Sequence, residues 1–348
     1  MTGIDGNSLI ENKTMTYKVK KQDITIKIES FERFEEFFLE EASGLRWDCL
    51  FVLPIWLKTW WDVFGSRKGL NILAGYRQGK LIGIAPLRVN GRTAAFIGGE
   101  NVCDYQDMIM TSNDHQAFFE AILSYLRTNG IRSLQLGALR PDSVSLTGFS
   151  STADQMGYTV VCDQVATGYE MLLPRSWESY LYRLGGKQRH EIRRKLRRLN
   201  ETGHVRYRVV ERPDEMPENM DTFLSLFSTS RQDKSEFLTD QMASFFLLLA
   251  QRMAKKGFLR LSFLDIDEVP AAAVMCFDYH HTIFLYNSGY DRRFRHLSAG
   301  LLGKVYSIKD SIERGRRRYD LLKGNEVYKK RLGGTPVPLY HLHIDLEG

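Results

Sequence analysis

The chain has 348 residues, more than one ordinary domain needs, and fits two domains of about 150–170 residues. With 43% hydrophobic and 26% charged residues it has the balance of an ordinary globular protein, and no apolar run approaches the roughly 20 residues of a membrane span. The net charge of +6 is unevenly shared: residues 1–170 carry 17 Lys and Arg against 20 Asp and Glu, whereas residues 171–348 carry 31 against 22, so an anionic ligand is expected in the second half, either a nucleotide-bearing cofactor or RNA.

Residues 1–22 are polar, lack periodicity and are read as a flexible leader without a signal-peptide core, which makes the cytoplasm the expected compartment. Ile24–Ile28 alternates as a strand, and Phe31–Glu41 is an acidic helix. Leu50–Gly65 is apolar and aromatic, with a helix starting near Pro54 and Ile55. Its Trp56, Trp60 and Trp61 sit at helical spacing and are read as core. Strands are predicted at Leu70–Tyr76, Lys80–Val89, Thr93–Ile97 and Gln106–Met110, then a helix over Asp114–Arg127 with Asp114 as its cap. A strand at Ile131–Gly137, a helix within Ser143–Met156, and strands near Tyr158–Val161 and Gly168–Leu173 complete the first half. Cys49, Cys103, Cys162 and Cys276 are each more than fifty residues apart, which excludes a Cys-x-x-Cys zinc or redox clip; each is read as a buried free thiol.

The second half repeats this grammar. Helices are predicted at Trp177–Leu184, Lys187–Leu199, Met220–Ser230 and Thr239–Lys256, with strands at Val205–Val210 and Phe258–Asp265. The repetition suggests a tandem duplication with domains at 23–170 and 171–348. Lys187–Leu199 holds seven basic residues and one acid. Ile192, Leu196 and Leu199 form its docking stripe, while Arg189, Arg193 and Arg197 line another face. So many like charges repel one another, and a polyanionic partner is the reading that accounts for them.

The remaining stretch carries the densest chemistry. Strands Ala271–Tyr279 and Thr282–Gly289 lead into an Arg-rich loop, Tyr290–Gly300, and a helix with Leu301, Val305, Ile308 and Ile312 on one face, ended by Gly315. Strand, basic loop and helix in this order aim backbone N–H groups and a helix N-terminus at one point, a seat for a phosphate to which Arg292, Arg293 and Arg295 add charge. A short strand, Arg318–Leu322, then runs into Lys323–Arg331. His341 and His343 share a face of a further strand, but no carboxylate or Cys at matching spacing joins them, so no metal site is predicted.

Over residues 25–335 these pieces resemble the GNAT superfamily, specifically the CelD/cellulose-biosynthesis-type acetyltransferases, a group itself similar to the Fem peptidoglycan aminoacyltransferases. The resemblance rests on Leu50–Gly65, Leu81–Leu87, Ile97-Gly98-Gly99 with Cys103–Asp107, the Lys187–Leu199 helix, Tyr286–Asp291, Leu297–Gly300, and Tyr319-Asp320 with Gly324 and Tyr328-Lys329. It implies an α/β (α+β) protein of two tandem GNAT-like domains, each a mixed, largely antiparallel sheet flanked by helices. It also implies acyl transfer from acyl-CoA, acetyl-CoA first, to the amine of a small polar or sugar-linked acceptor, without a metal. The family's pyrophosphate loop, Gln/Arg-x-x-Gly-x-Gly/Ala, is matched by Arg295–Gly300 at its ends, with Ser298 in place of the middle Gly, so that a Cβ stands where backbone would approach phosphate. Ser298, Ala299 and Gly300 are thus the expected cofactor loop.

The Fem enzymes take their acyl group from aminoacyl-tRNA and carry an aromatic-Lys pair that Tyr328-Lys329 matches, which makes a tRNA-dependent transferase the alternative. The chain departs from them in lacking a long helical-hairpin insertion. A catalytically silent binding module of the same fold is a third reading. The expected roles are Asp320 holding or deprotonating the acceptor, Lys329 facing the oxyanion and Tyr328 protonating the leaving group. Asp104, Tyr105, Asp107, Arg189, Arg193 and Tyr286 are expected on the substrate side.

Overall fold

The computed structural model describes residues 15–19, 22–40, 44–66, 68–111 and 115–347. Most of the expected leader and the Asp114 cap lie outside the described residues, although Met15–Val19 within the leader forms a strand, β1, paired with the next one. The chain divides into two compact units, the first made of residues 1–57, 66–163 and 340–348, the second of residues 58–65 and 164–339.

The first unit contains β2 (Gln22–Glu29), α1 (Phe31–Leu39), the start of α2 (Pro54–Phe64), β3 (Leu70–Arg77), β4 (Lys80–Asn90), β5 (Thr93–Phe96), β6 (Ile109–Met110), α3 (His115–Thr128), β7 (Ser133–Leu139), α4 (Ser150–Gln155) and the start of β8 (Thr159–Leu172). The second contains α5 (Trp177–Arg183), α6 (Gly186–Asn200), β9 (Val205–Val210), α7 (Met216–Ser230), α8 (Gln232–Phe237), α9 (Asp240–Lys255), β10 (Leu259–Ile266), β11 (Val269–Tyr279), β12 (Thr282–Tyr290), α10 (Ala299–Glu313), β13 (Arg318–Lys323) and α11 (Val327–Arg331). The last strand, β14 (Thr335–Asp345), returns the chain to the first unit.

The two units repeat one topology. In the first, β2-β3-β4-β5 form an antiparallel meander, β7 runs parallel to β5 after the α3 crossover, and β14 lies antiparallel to β7. In the second, β9-β10-β11-β12 form the meander, β13 runs parallel to β12 after the α10 crossover, and β8 lies antiparallel to β13. A parallel neighbour needs a crossover, and the helix that supplies it is also the one that covers the sheet. Both sheets are mixed and largely antiparallel.

Each unit has its own apolar core. Phe118, Ile122 and Leu126 of α3 pack with Leu134, Leu136, Leu342 and Ile344 in the first; Leu302, Val305, Ile308 and Ile312 of α10 pack with Ala272, Val274, Leu285 and Leu321 in the second. Leu302, not Leu301, completes the α10 stripe: Leu301 is only half-buried. Gly315, at φ +70°, follows the helix end as expected.

Three expectations change. Only Ile109–Met110 of the Gln106–Met110 strand pairs, because Gln106 is held in a loop by its own hydrogen bonds. The strands at 158–161 and 168–173 are one strand, since no Gly or Pro interrupts the run before Gly168. Cys162 is exposed on that strand, whereas Cys103 and Cys276 are buried and Cys49 is half-buried. Among the described residues no helix is long and apolar enough to cross a membrane.

Candidate functional site

The parallel register of β12 and β13 covers only Thr282–Phe284 against Arg318–Asp320, and beyond it the two strands part. Two irregularities accompany the parting. Tyr286 is an extra residue on β12, since Met275 pairs with Asn287 and Cys276 with Leu285. On β13 the pairing with β8 skips Leu321, and Leu322 takes φ +61°. A bulge re-aims a strand and ends its pairing. The first unit has a counterpart in Ala138, at φ +56°, but there Gln106 bridges the parting: its N–H donates to Ala138 O at 3.1 Å and its side-chain amide to Ile97 O at 3.0 Å.

In the second unit this region holds a cavity of about 280 Å³. β12 supplies Ser288 and Tyr290, the entry to α10 supplies Arg295, Ser298, Ala299, Gly300, Leu301 and Lys304, the α7–α8 junction supplies Ser230, Arg231 and Lys234, and the segment after β13 supplies Glu326 and Tyr328. The intrahelical bonds of α10 begin with Leu301 N–H donating to Ser298 O at 3.0 Å, so the amides of Ala299 and Gly300 precede the ladder and face the helix entrance. Gly300 is required here: a Cβ would stand 2.8 Å from Cδ1 of Tyr290. Ser298 sits at φ +62°, where glycine is usual, and its Oγ accepts from Lys195 Nζ at 2.5 Å, which ties α6 to the entrance of α10.

The charges in the lining are unbalanced. Lys304 is 8% exposed; its Nζ donates to Gly300 O at 2.9 Å and lies 4.8 Å from the Tyr328 ring centre. Burial, and then the neighbouring Lys234, push it down to about 7. Lys234 donates to Ser288 O and is pushed down to about 8 by burial and then Arg231. Burial raises the Glu326 carboxyl, but Lys329 and the backbone outweigh it and hold the group below its ordinary value. The Tyr328 phenol is held well above its ordinary value by burial, so it keeps its proton.

Of the residues expected from the sequence, Arg295, Ser298, Ala299, Gly300 and Tyr328 meet in this lining. The others stand elsewhere. Arg293 is exposed and forks onto Asp291 at 2.6 and 2.8 Å, and Arg292 donates to Ser230 O at 3.4 Å. Asp320 is buried, with Oδ1 accepting from Leu322 N–H at 2.8 Å across the bulge. Lys329 is also buried; its ammonium donates to Leu322 O at 3.1 Å and Lys323 O at 2.6 Å, and lies 3.1 Å from Glu326. Lys329 thus braces the segment that carries Glu326 instead of facing the cavity. The Tyr286 ring packs against Phe246 and Phe277.

In the first unit Tyr105 is buried under Arg140, and Asp104 is half-buried beside it. Asp107 accepts from the backbone N–H groups of Met108, Val144 and Ser145 and from Ser145 Oγ, so it anchors the start of the 145–149 turn. On α6, Arg189 lies over Tyr182, and Arg193 is exposed.

Sequence reading missed Lys304, Lys234, Arg231 and Glu326. For Lys304 a signal existed: it falls inside the apolar arc of α10, three residues after Leu301 and four before Ile308. For the other three none did, because they reach the cavity from segments that are distant in sequence. Among the described residues no group of three or more His, Cys, Asp or Glu stands close enough to hold a metal ion.

Residues 186–330 match the family model described as Acetyltransferase (GNAT) domain, and this span contains the whole cavity lining. Among solved structures, the crystal structure of FemX is similar at 11% identity and a TM-score of 0.63, covering 91% of this chain and 96% of that one. A conserved protein of unknown function from Bacteroides thetaiotaomicron is similar at 12% and 0.59, covering 92% and 99%. The C-terminal domain of a putative lysylphosphatidylglycerol synthetase from Agrobacterium fabrum is similar at 12% and 0.54, covering 83% and 90%. At these identities the likeness is one of fold. No curated protein matches the chain significantly.

Proposed function

We propose that this GNAT-fold chain is an N-acyltransferase whose second unit takes an acyl group, acetyl first, from acyl-coenzyme A and passes it to the amine of a small polar or sugar-linked acceptor. A CelD-type role in polysaccharide or cell-envelope synthesis fits this reading. The observation that carries it is the cavity where β12 and β13 part, with Arg295 and the first residues of α10, Ala299 and Gly300, in one lining. That donor set suits a diphosphate: a helix N-terminus offers N–H groups and a favourable dipole, and a guanidinium adds a fork. Ser298 fits, because the bond from Lys195 fixes its Oγ toward α6.

The donor supplies an activated thioester; the chain supplies proton handling. Tyr328 lines the cavity with its proton retained, which suits it to donate a hydrogen bond to a departing sulfur. Glu326 is the carboxylate in the lining and is ionised at neutral pH, so it takes over from Asp320 the task of accepting the acceptor's proton.

Titration of acetyl-CoA into the protein at low and moderate salt tests the reading. Saturable binding is expected, about tenfold weaker in Arg295→Ala and unchanged in Arg293→Ala, whose charge is spent on Asp291. Glu326→Gln is expected to lower turnover with little change in donor affinity. Absence of binding would overturn the donor assignment.

A second reading, an aminoacyl-tRNA donor, is favoured by one observation: Lys195 joins the basic helix α6 to the cavity entrance at Ser298. Binding of bulk aminoacyl-tRNA alone, falling steeply with salt, would move the assignment there.

A further inference from the structure

The cations of the cavity lie at two depths. At the mouth, Arg295 is exposed in the same lining as Ala299 and Gly300. Inside, Lys304 is buried and Lys234 half-buried. Each inner lysine spends one of its three N–H donors on a backbone carbonyl, Gly300 O for Lys304 and Ser288 O for Lys234. Their apolar surroundings are aromatic: Lys304 faces the Tyr328 ring and Lys234 the Phe227 ring, at 4.8 and 4.7 Å from the ring centres. Glu326, the carboxylate in the same lining, favours both ammonium groups from a distance, but its direct contact is with Lys329 at 3.1 Å.

Three effects work against this arrangement in the free protein. Burial disfavours an ammonium, two ammonium groups repel, and Lys304 reaches back to the positive end of α10, where a cation is of the wrong sign. A Leu or Met at either position would avoid all three. An anion lying between the two groups reverses them together. A diphosphate at the mouth is already served by the helix amides and Arg295, which leaves the inner pair for another group on a reactant.

This inference rests on the acyl-donor reading above. We propose that Lys234 and Lys304 form an inner subsite for a carboxylate carried by one of the two reactants: the acyl part of the donor, as in a dicarboxylic monoacyl thioester, or the acceptor, as in an α-amino acid. Each carboxylate oxygen then takes one ammonium.

The test uses the full chain at pH 7 and low salt. Calorimetric titration compares coenzyme A, acetyl-CoA and succinyl-CoA, and then, with coenzyme A present, an α-amino acid against the amine left by its decarboxylation. If the carboxylate is on the donor, succinyl-CoA is expected to bind about tenfold or more tighter than acetyl-CoA; if it is on the acceptor, the amino acid shows that preference over the amine. Lys304→Met, and independently Lys234→Met, should erase the preference while leaving the Kd of coenzyme A within about threefold. A preference that survives both substitutions, or preference for neither carboxylate, overturns the subsite. Thermal stabilisation by succinate alone reads the lysine pair without the donor. Stabilisation that is lost in Lys304→Met sustains the subsite even if coenzyme A fails to bind, an outcome that would sink the donor reading only. No stabilisation together with no coenzyme A binding removes both.

Discussion

Lys195 Nζ lies 2.5 Å from Ser298 Oγ, and this bond joins a helix with an excess of positive charge to the one residue at the α10 entrance that holds a left-handed conformation. Two opposing effects therefore meet at Ser298. Ser298→Gly relieves the backbone, worth up to about 1 kcal/mol, and loses a hydrogen bond of similar size, so its unfolding free energy should stay within about 1 kcal/mol of the parent. Ser298→Val keeps the strained φ with a β-branched side chain and loses the bond, and should cost about 2 kcal/mol or more in urea unfolding. Equal effects of the two substitutions would contradict this account of the turn.

Lys329 should behave as a structural residue. Lys329→Met strands the carbonyls of Leu322 and Lys323 in a buried place and frees Glu326, at an expected cost of about 2–4 kcal/mol in denaturant unfolding. A variant that unfolds like the parent but has lost turnover would instead place the ammonium in the chemistry.

Gly300→Ala drives a methyl into the Tyr290 ring and should cost about 1–3 kcal/mol, with weaker donor binding. Combining it with Tyr290→Ala should recover part of that cost, a coupling that a double-mutant cycle reads directly. Strict additivity would mean the two residues do not confront each other.

Lys304 and Lys234 make stability depend on pH. Lys304 near 7 and Lys234 near 8 lie below the ordinary 10.5, so between pH 7 and 10 the unfolded chain binds protons that the folded chain has released. Stability contributed by these groups therefore rises with pH through that window, by up to about 1.4 kcal/mol per unit for each lysine, and falls away as pH drops through 7. Lys304→Met removes its share, so its gain over the parent should be larger at pH 6.5 than at pH 9.5. An advantage independent of pH would show that Lys304 is not buried as a charge.

One donor per chain is expected at saturation, because in the first unit Gln106 spans from Ile97 O to Ala138 O across the corresponding parting. Calorimetry that returned two equivalents of coenzyme A would refute this.

Much of the architecture was legible because periodicity and turn chemistry are local. The Val305, Ile308 and Ile312 part of the α10 stripe, the Gly315 stop and the strand–loop–helix order around Arg295–Gly300 follow from spacing alone, and the order of elements in each half already announced a repeated fold. The site was legible only where it is contiguous in sequence. Arg295, Ser298, Ala299 and Gly300 lie on one turn at a helix N-terminus, the kind of place that suits an anion, and all four line the cavity. Asp320 and Lys329 stand outside the cavity lining, and nothing in the sequence signals it, because a charged residue near a site looks the same in sequence whether it faces a ligand or its own backbone. In the fold both make hydrogen bonds to the backbone of Leu322 or Lys323, which lie at the bulge of β13. Lys234, Lys304 and Glu326 come together from α8, α10 and the segment after β13, so their meeting in one cavity, and the charge imbalance there, is a property of tertiary packing that no local pattern encodes.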